Sequence, residues 1–120
     1  TCAYNAIVKL NKLNVKCFLS SATPKKTLQK IVNMKGWTDL FDEVFGNPQS
    51  KEMHIRKILY SNKYTLSEIA YVGDSEADQK AASLVGCKFI GIGLNYDRFN
   101  NKPEILLSNL KNFEKVFKYD

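Results

Sequence analysis

Apolar positions along the chain change rhythm repeatedly between helical spacing and short strand-like runs. Ala3, Ala6, Ile7, Leu10 and Leu13 recur at the three-to-four-residue spacing of a helix, and Asn14 breaks the pattern. Val15 to Leu19 reads as a buried strand with Ser20 at its end. Thr23 and Pro24 then stand as N-cap and first helical residue, and Leu28, Ile31 and Val32 carry that helix to Gly36. Glu43 to Phe45 reads as a short strand and Gly46-Asn47-Pro48 as a turn. Ser50 can cap a helix bearing Ile55, Ile58 and Leu59. Thr65 and Glu68 have capping-box spacing before a strand over Ile69 to Val72. A helix over Ala77 to Leu84 is ended by Gly86, and Lys88 to Ile92 is the next strand. Residues 93–103 are irregular, Glu104 to Leu107 is a last short strand, and Ser108 caps a helix with Leu110, Phe113, Val116 and Phe117. Strands alternating with helices predict an α/β fold with a parallel sheet covered by helices on both faces.

Composition narrows the class. The chain has 120 residues, 44% of them hydrophobic, which suits one domain, 1–120, with a single core. No apolar run approaches the roughly 20 residues of a membrane span. No signal peptide is expected, and a start at Thr1 rather than Met predicts a processed chain or a piece of something longer. Cys2, Cys17 and Cys87 are odd in number, widely spaced and without a zinc pattern. They read as thiols of a reducing compartment, so a cytoplasmic location is expected. The net charge of +6 is uneven: residues 1–38 hold Lys9, Lys12, Lys16, Lys25, Lys26, Lys30 and Lys35 and no acid. Those lysines are helix-spaced among Ile and Leu without interleaved aromatics. They read as solvated helix faces, and neither a nucleic-acid partner nor a membrane is expected.

Three predicted strand ends carry chemistry. The first has Ser20 with Ser21 beside it. The second runs through Gly46-Asn47-Pro48-Gln49-Ser50 to Lys51. The third is Gly73-Asp74-Ser75-Glu76-Ala77-Asp78, with two carboxylates four residues apart where a strand passes into a helix. In a parallel sheet such ends lie on one edge, where open α/β sheets bind ligands. Carboxylates there suit a hard cation such as Mg²⁺, an ammonium and hydroxyls suit phosphoryl oxygens, and the alternative is an Asp-rich turn with a helix N-cap. His54, the one histidine, is expected on an exposed helix face.

These three segments, in this order, resemble the motifs of the haloacid dehalogenase superfamily of phosphohydrolases over roughly residues 3–95. Phe18-Leu19-Ser20-Ser21 is similar to the second motif, Gly46 to Lys51 to the third and Val72 to Asp78 to the fourth; Phe89-Ile90-Gly91-Ile92 resembles the strand that follows. The resemblance implies a three-layer Rossmann-like sheet and a Mg²⁺-dependent phosphomonoester hydrolase that works through an aspartyl-phosphate on a small phosphorylated metabolite. It implies that Ser20 and Ser21 bind the phosphoryl group and that Lys51 neutralises it. Asp74 would ligate Mg²⁺, and Asp78 would ligate it or hold Lys51 and a metal-bound water.

The chain departs from the family in one respect. It has no acidic residue before Asp39 and no Asp-x-Asp, so the first motif with its nucleophile, its central strand and the cap domain have no counterpart. The expectation is therefore an incomplete core, the C-terminal part of a longer phosphatase, inactive by itself. Two exposed strand edges would be left, to be filled by direct pairing, by a missing N-terminal segment or by a strand-swapped second copy. Alternatives from other classes are a non-catalytic family member that binds metal, phosphate or a partner, and a parent of phosphoglucomutase type.

Overall fold

Strands and helices alternate over residues 2–111 and 113, the residues described by the computed structural model. The elements are α1 (Cys2–Lys12), β1 (Phe18–Pro24), α2 (Lys25–Met34), β2 (Glu43–Asn47), α3 (Lys51–Asn62), β3 (Ala70–Gly73), α4 (Glu76–Val85), β4 (Lys88–Ile92) and β5 (Ile105–Leu107). Short 3₁₀ turns lie at Thr38–Leu40 and Leu66–Glu68, the second closed by the expected Thr65–Glu68 capping box. The architecture is α/β with parallel pairing throughout the described strands. The chain divides into two compact units, Thr1–Ser50 with Leu110–Asp120, and Lys51–Asn109.

In the first unit β1 and β2 pair in parallel and α2 packs on both. Its core is formed by Ala6 and Leu10 of α1, Leu28 and Val32 of α2, Phe45 of β2, and Phe113. The first strand lies later than its apolar run predicts. Asn14 takes the left-handed φ of 64°, and the Val15 N–H still bonds the Leu10 carbonyl at 2.9 Å, so the helix exit consumes Val15, while the Cys17 carbonyl already accepts the Asp42 N–H at 2.8 Å just ahead of the paired strand. β1 then runs on through Pro24, which displaces Thr23 from the predicted N-cap: Pro24 occupies that position without a side-chain bond. Gly46, read as part of a turn, belongs to β2 instead. A Cβ there would lie 2.5 Å from the Thr23 carbonyl oxygen and 2.7 Å from the Lys25 backbone, so only glycine lets the two chains approach.

In the second unit the strand order is β3-β4-β5. α4 packs on β3 and β4, and α3 packs on α4. Ile55, Ala81, Ala82, Ile90 and Phe99 form its core. His54 corrects the expectation of exposure: it is 1% exposed. It falls on the same helical arc as Lys51, Ile55 and Ile58, the inward face of α3, at spacings of three and four residues. Among the described residues β1 pairs with β2 within the first unit, and β3 pairs with β4 within the second. Residues 108–111 form bends and a turn rather than the start of a helix, and Val116 and Phe117 of the expected last helix lie outside the described residues. No described helix is long and apolar enough to cross a membrane.

Candidate active site

The acidic segment after β3 is both an N-cap and a carboxylate cluster. Ser75 caps α4: its Oγ accepts the Asp78 N–H at 3.3 Å and donates to Asp78 Oδ2 at 2.9 Å. The same Oδ2 accepts the backbone N–H groups of Asp74, at 3.1 Å, and Ser75, at 3.3 Å. One carboxylate oxygen therefore closes the whole turn, at a helix end whose free N–H groups and dipole favour negative charge. The other oxygen, Oδ1, receives Lys51 Nζ at 2.7 Å. Asp78 is almost fully buried, and Lys51 is half-buried, its ammonium partly reached by solvent.

Gly73 makes this arrangement possible. A Cβ on it would lie 2.3 Å from Asp78 Cβ and 2.4 Å from Oδ2. The carboxylate sits where any other residue would place its side chain.

Lys51 opens α3, the end of a helix that disfavours a cation. Burial works to lower its pKa, but the hydrogen bond and charge of Asp78 more than offset this, and the ammonium is held above its usual range. The local rule is broken at one residue and compensated by one partner, the pattern expected of a functional position. Beside it in the same turn, Glu52 pairs with Arg56 one turn on at 2.8 Å, an ordinary surface pair.

Asp74 behaves differently from Asp78. Its backbone is fixed by the turn, but its side chain is 65% exposed, with Arg98 Nη1 3.7 Å from Oδ2. An exposed carboxylate on a fixed backbone suits a hard cation, which takes one or two carboxylates and keeps several waters. Asp78 has both oxygens engaged by protein donors, so of the two predicted metal ligands Asp74 offers the available oxygens. Among the described residues no three His, Cys, Asp or Glu side chains gather into a ready-made cage. The donor set thus fits one edge of a Mg²⁺ site.

The structure brings Lys51, Asp74 and Asp78 together within the second unit. Ser20 and Ser21 lie on β1 in the first unit. Ser20 is opposite Phe45 in the β1–β2 register, and Ser21 Oγ accepts the Thr23 N–H at 3.1 Å. Two contributors were not singled out from the sequence. Ser75 was legible as an N-cap, since Ser75 and Asp78 have capping-box spacing. Arg98 had no local signal: it lies in the irregular 93–103 segment.

Residues 3–92 match the haloacid dehalogenase-like hydrolase family. No curated protein matches the sequence. Among solved structures, a predicted phosphoglycolate phosphatase from Haemophilus somnus superposes with a TM-score of 0.84 at 22% identity, covering 96% of this chain and 55% of that one. A predicted phosphatase from Clostridium acetobutylicum gives a TM-score of 0.84 at 17% identity, covering 95% and 57%. The core domain of a Streptococcus pneumoniae protein, provisionally described as a phosphoglycolate phosphatase, gives 0.78 at 13% identity, covering 98% and 86%. The chain spans about half the length of the first two of these structures, and likenesses at these identities carry the fold.

Proposed function

The chain belongs to the haloacid dehalogenase-like hydrolases, and from that premise we propose that it supplies the lysine and metal-loop part of a Mg²⁺-dependent phosphomonoester hydrolase site. The observation that carries this reading is the division of labour between two carboxylates four residues apart. Asp78 is spent on Lys51 and on the turn, while Asp74 is fixed in place and left open. A purely structural N-cap needs neither the buried lysine contact nor an exposed second acid.

In this reading Asp74 is the ligand for Mg²⁺, which when bound neutralises phosphoryl charge and fixes the orientation of the phosphate. Lys51 holds an ammonium beside the phosphoryl oxygens and the attacking group. Asp78 keeps that ammonium in place and charged. Ser20 and Ser21 are assigned to phosphoryl oxygens as hydroxyl donors. The attacking carboxylate has no matching position in these 120 residues, so the chain by itself is expected to be inactive. The substrate is proposed to be a small phosphorylated metabolite, and phosphoglycolate is the first to try, because structures so described share the fold. The free thiols Cys17 and Cys87 fit a reducing compartment, as a cytoplasmic enzyme would have.

The test is hydrolysis of p-nitrophenyl phosphate and of phosphoglycolate with Mg²⁺, for this chain and for a form extended by whatever coding sequence precedes Thr1. Activity in the extended form, abolished by Asp74→Asn, is the expected result. Mg²⁺ binding without turnover in either form would favour the non-catalytic reading. Phosphoryl transfer between two positions of a sugar phosphate, in place of release to water, would mark a mutase.

A further inference from the structure

Arg98 stands at a place its own sequence neighbourhood does not explain. The 93–103 segment has no regular structure, yet it is pinned directly after Arg98. Phe99, the next residue, is buried and packs edge-on against Phe89 of β4 at 5.8 Å between ring centres. Gly91 of β4 leaves the space: a Cβ there would lie 3.1 Å from Phe99 Cζ and 3.0 Å from Pro103 Cγ. Asn100 bonds the Glu76 carboxylate, and Gln79 Nε2 bonds the Asn101 carbonyl at 2.8 Å, so two residues of α4 hold the segment against the start of that helix. The Arg98 backbone is thereby fixed, while its guanidinium remains 70% exposed beside the Asp74 carboxylate.

The contact itself is loose. At 3.7 Å between mostly exposed groups it is worth little as a source of stability. Anchoring a loop on four side chains to present so weak an ion pair makes better sense if the guanidinium has another partner. A guanidinium presents a planar fork of donors suited to carboxylate and phosphate oxygens. The same carboxylate is the one assigned above to the metal, and a divalent cation bound there would offset its charge and repel the guanidinium, loosening the hold of Asp74 on Arg98.

We propose that Arg98 is a substrate-positioning residue that neutralises Asp74 while no divalent cation is bound and turns to the anionic substrate once a cation takes that carboxylate. The proposal rests on Asp74 as the metal ligand. It makes Arg98 and the cation competitors for Asp74, and Arg98 and Lys51 the two cations that a phosphorylated acid meets.

The experiment compares the full encoded protein with Arg98→Ala, Arg98→Lys and Asp74→Asn. Mn²⁺ binding is followed by electron paramagnetic resonance of the free ion, and inorganic phosphate binding to the Mn²⁺-loaded protein by calorimetry. Arg98→Ala should bind Mn²⁺ more tightly, by up to about fivefold, the range of an exposed ion pair. It should bind phosphate about tenfold more weakly, the loss of one charged hydrogen-bond donor. Arg98→Lys should recover the Mn²⁺ affinity of the parent and only part of the phosphate affinity, because a lysine restores the charge without the fork. Unchanged affinity for both ligands in Arg98→Ala, or equal weakening of both, overturns the proposal. Asp74→Asn separates the two levels: undiminished Mn²⁺ binding there would remove the metal assignment itself, whatever Arg98 does.

Discussion

Lys51, at the first position of α3, donates to Asp78 in the first turn of α4 at 2.7 Å, and the second oxygen of Asp78 closes the turn that carries Asp74. One buried carboxylate thus joins two helix starts and sets the backbone of an exposed neighbour.

That geometry makes the two partners unequal. Asp78→Ala leaves Lys51 and the donors of Asp74 and Ser75 without their acceptor, in a place where water has little access. Lys51→Met leaves Asp78 with three donors still in place. We expect Asp78→Ala to cost about 2–4 kcal/mol in urea unfolding and Lys51→Met about 1 kcal/mol or less, since the ammonium is partly solvated. Equal losses would mean that the ion pair, and not the turn, is the main contribution of Asp78.

Gly73→Ala tests the same turn from beneath. The new methyl would lie 2.3 Å from Asp78 Cβ, an atom fixed by the helix backbone that cannot swing away. A loss of about 1–3 kcal/mol is expected from overpacking, together with displacement of Asp78 from its amide donors. Circular dichroism melting gives the first quantity and phosphatase activity of the extended protein reports the second. An alanine accepted without loss of either would show that the turn can move.

How much of this was legible in the sequence depends on whether the cause is local. The Lys51, Asp74 and Asp78 positions followed from residue type and spacing at predicted strand ends. The capping box at Thr65–Glu68 and the helix stop at Gly86, with φ of 91°, are likewise local. The start of β1 is hidden in the apolar run because Val15 still belongs to the exit of the preceding helix, its N–H bonded to the Leu10 carbonyl, and pairing begins only around Cys17, whose carbonyl accepts the Asp42 N–H. His54 was expected to be exposed because a histidine says nothing about which face it occupies; the arc through Lys51, Ile55 and Ile58 says it, once the inward side of α3 is known. Arg98 was invisible because its placement depends on Phe99 and Pro103 meeting Gly91, contacts between segments that no periodicity encodes.

The thiol of Cys17 should be unreactive in the fold. Burial, aided by the negative charge of Asp42, pushes its pKa from 9.0 up to about 11. Cys87 is also raised, by burial. At pH 8 this lowers the thiolate fraction of Cys17, and its alkylation by iodoacetamide, about a hundredfold relative to the unfolded chain. The native thiol stays protonated while the unfolded one ionises, so its contribution to stability is present below pH 9 and fades as the pH rises toward 11. Alkylation of native Cys17 at the rate seen in urea would contradict the burial.

The pKa of Lys51 in the fold is raised above 10.5, burial being outweighed by the bond and charge of Asp78. A raised pKa means that the stabilisation from the ammonium is complete below the unfolded value and disappears only as pH climbs through the folded one. Between pH 6 and pH 9 Lys51 is therefore charged throughout and cannot act as a proton acceptor; its role is electrostatic. Lys51→Met should lower kcat/KM of the extended protein by about a hundredfold or more, the scale of losing a charge stabiliser in a site of this kind. Lys51→Arg, which stays charged at any accessible pH, should leave the shape of the pH–rate profile unchanged even if the longer side chain lowers its height. A limb between pH 7 and pH 9 that is present in the parent and absent in Lys51→Arg would identify Lys51 as a base and overturn the electrostatic assignment.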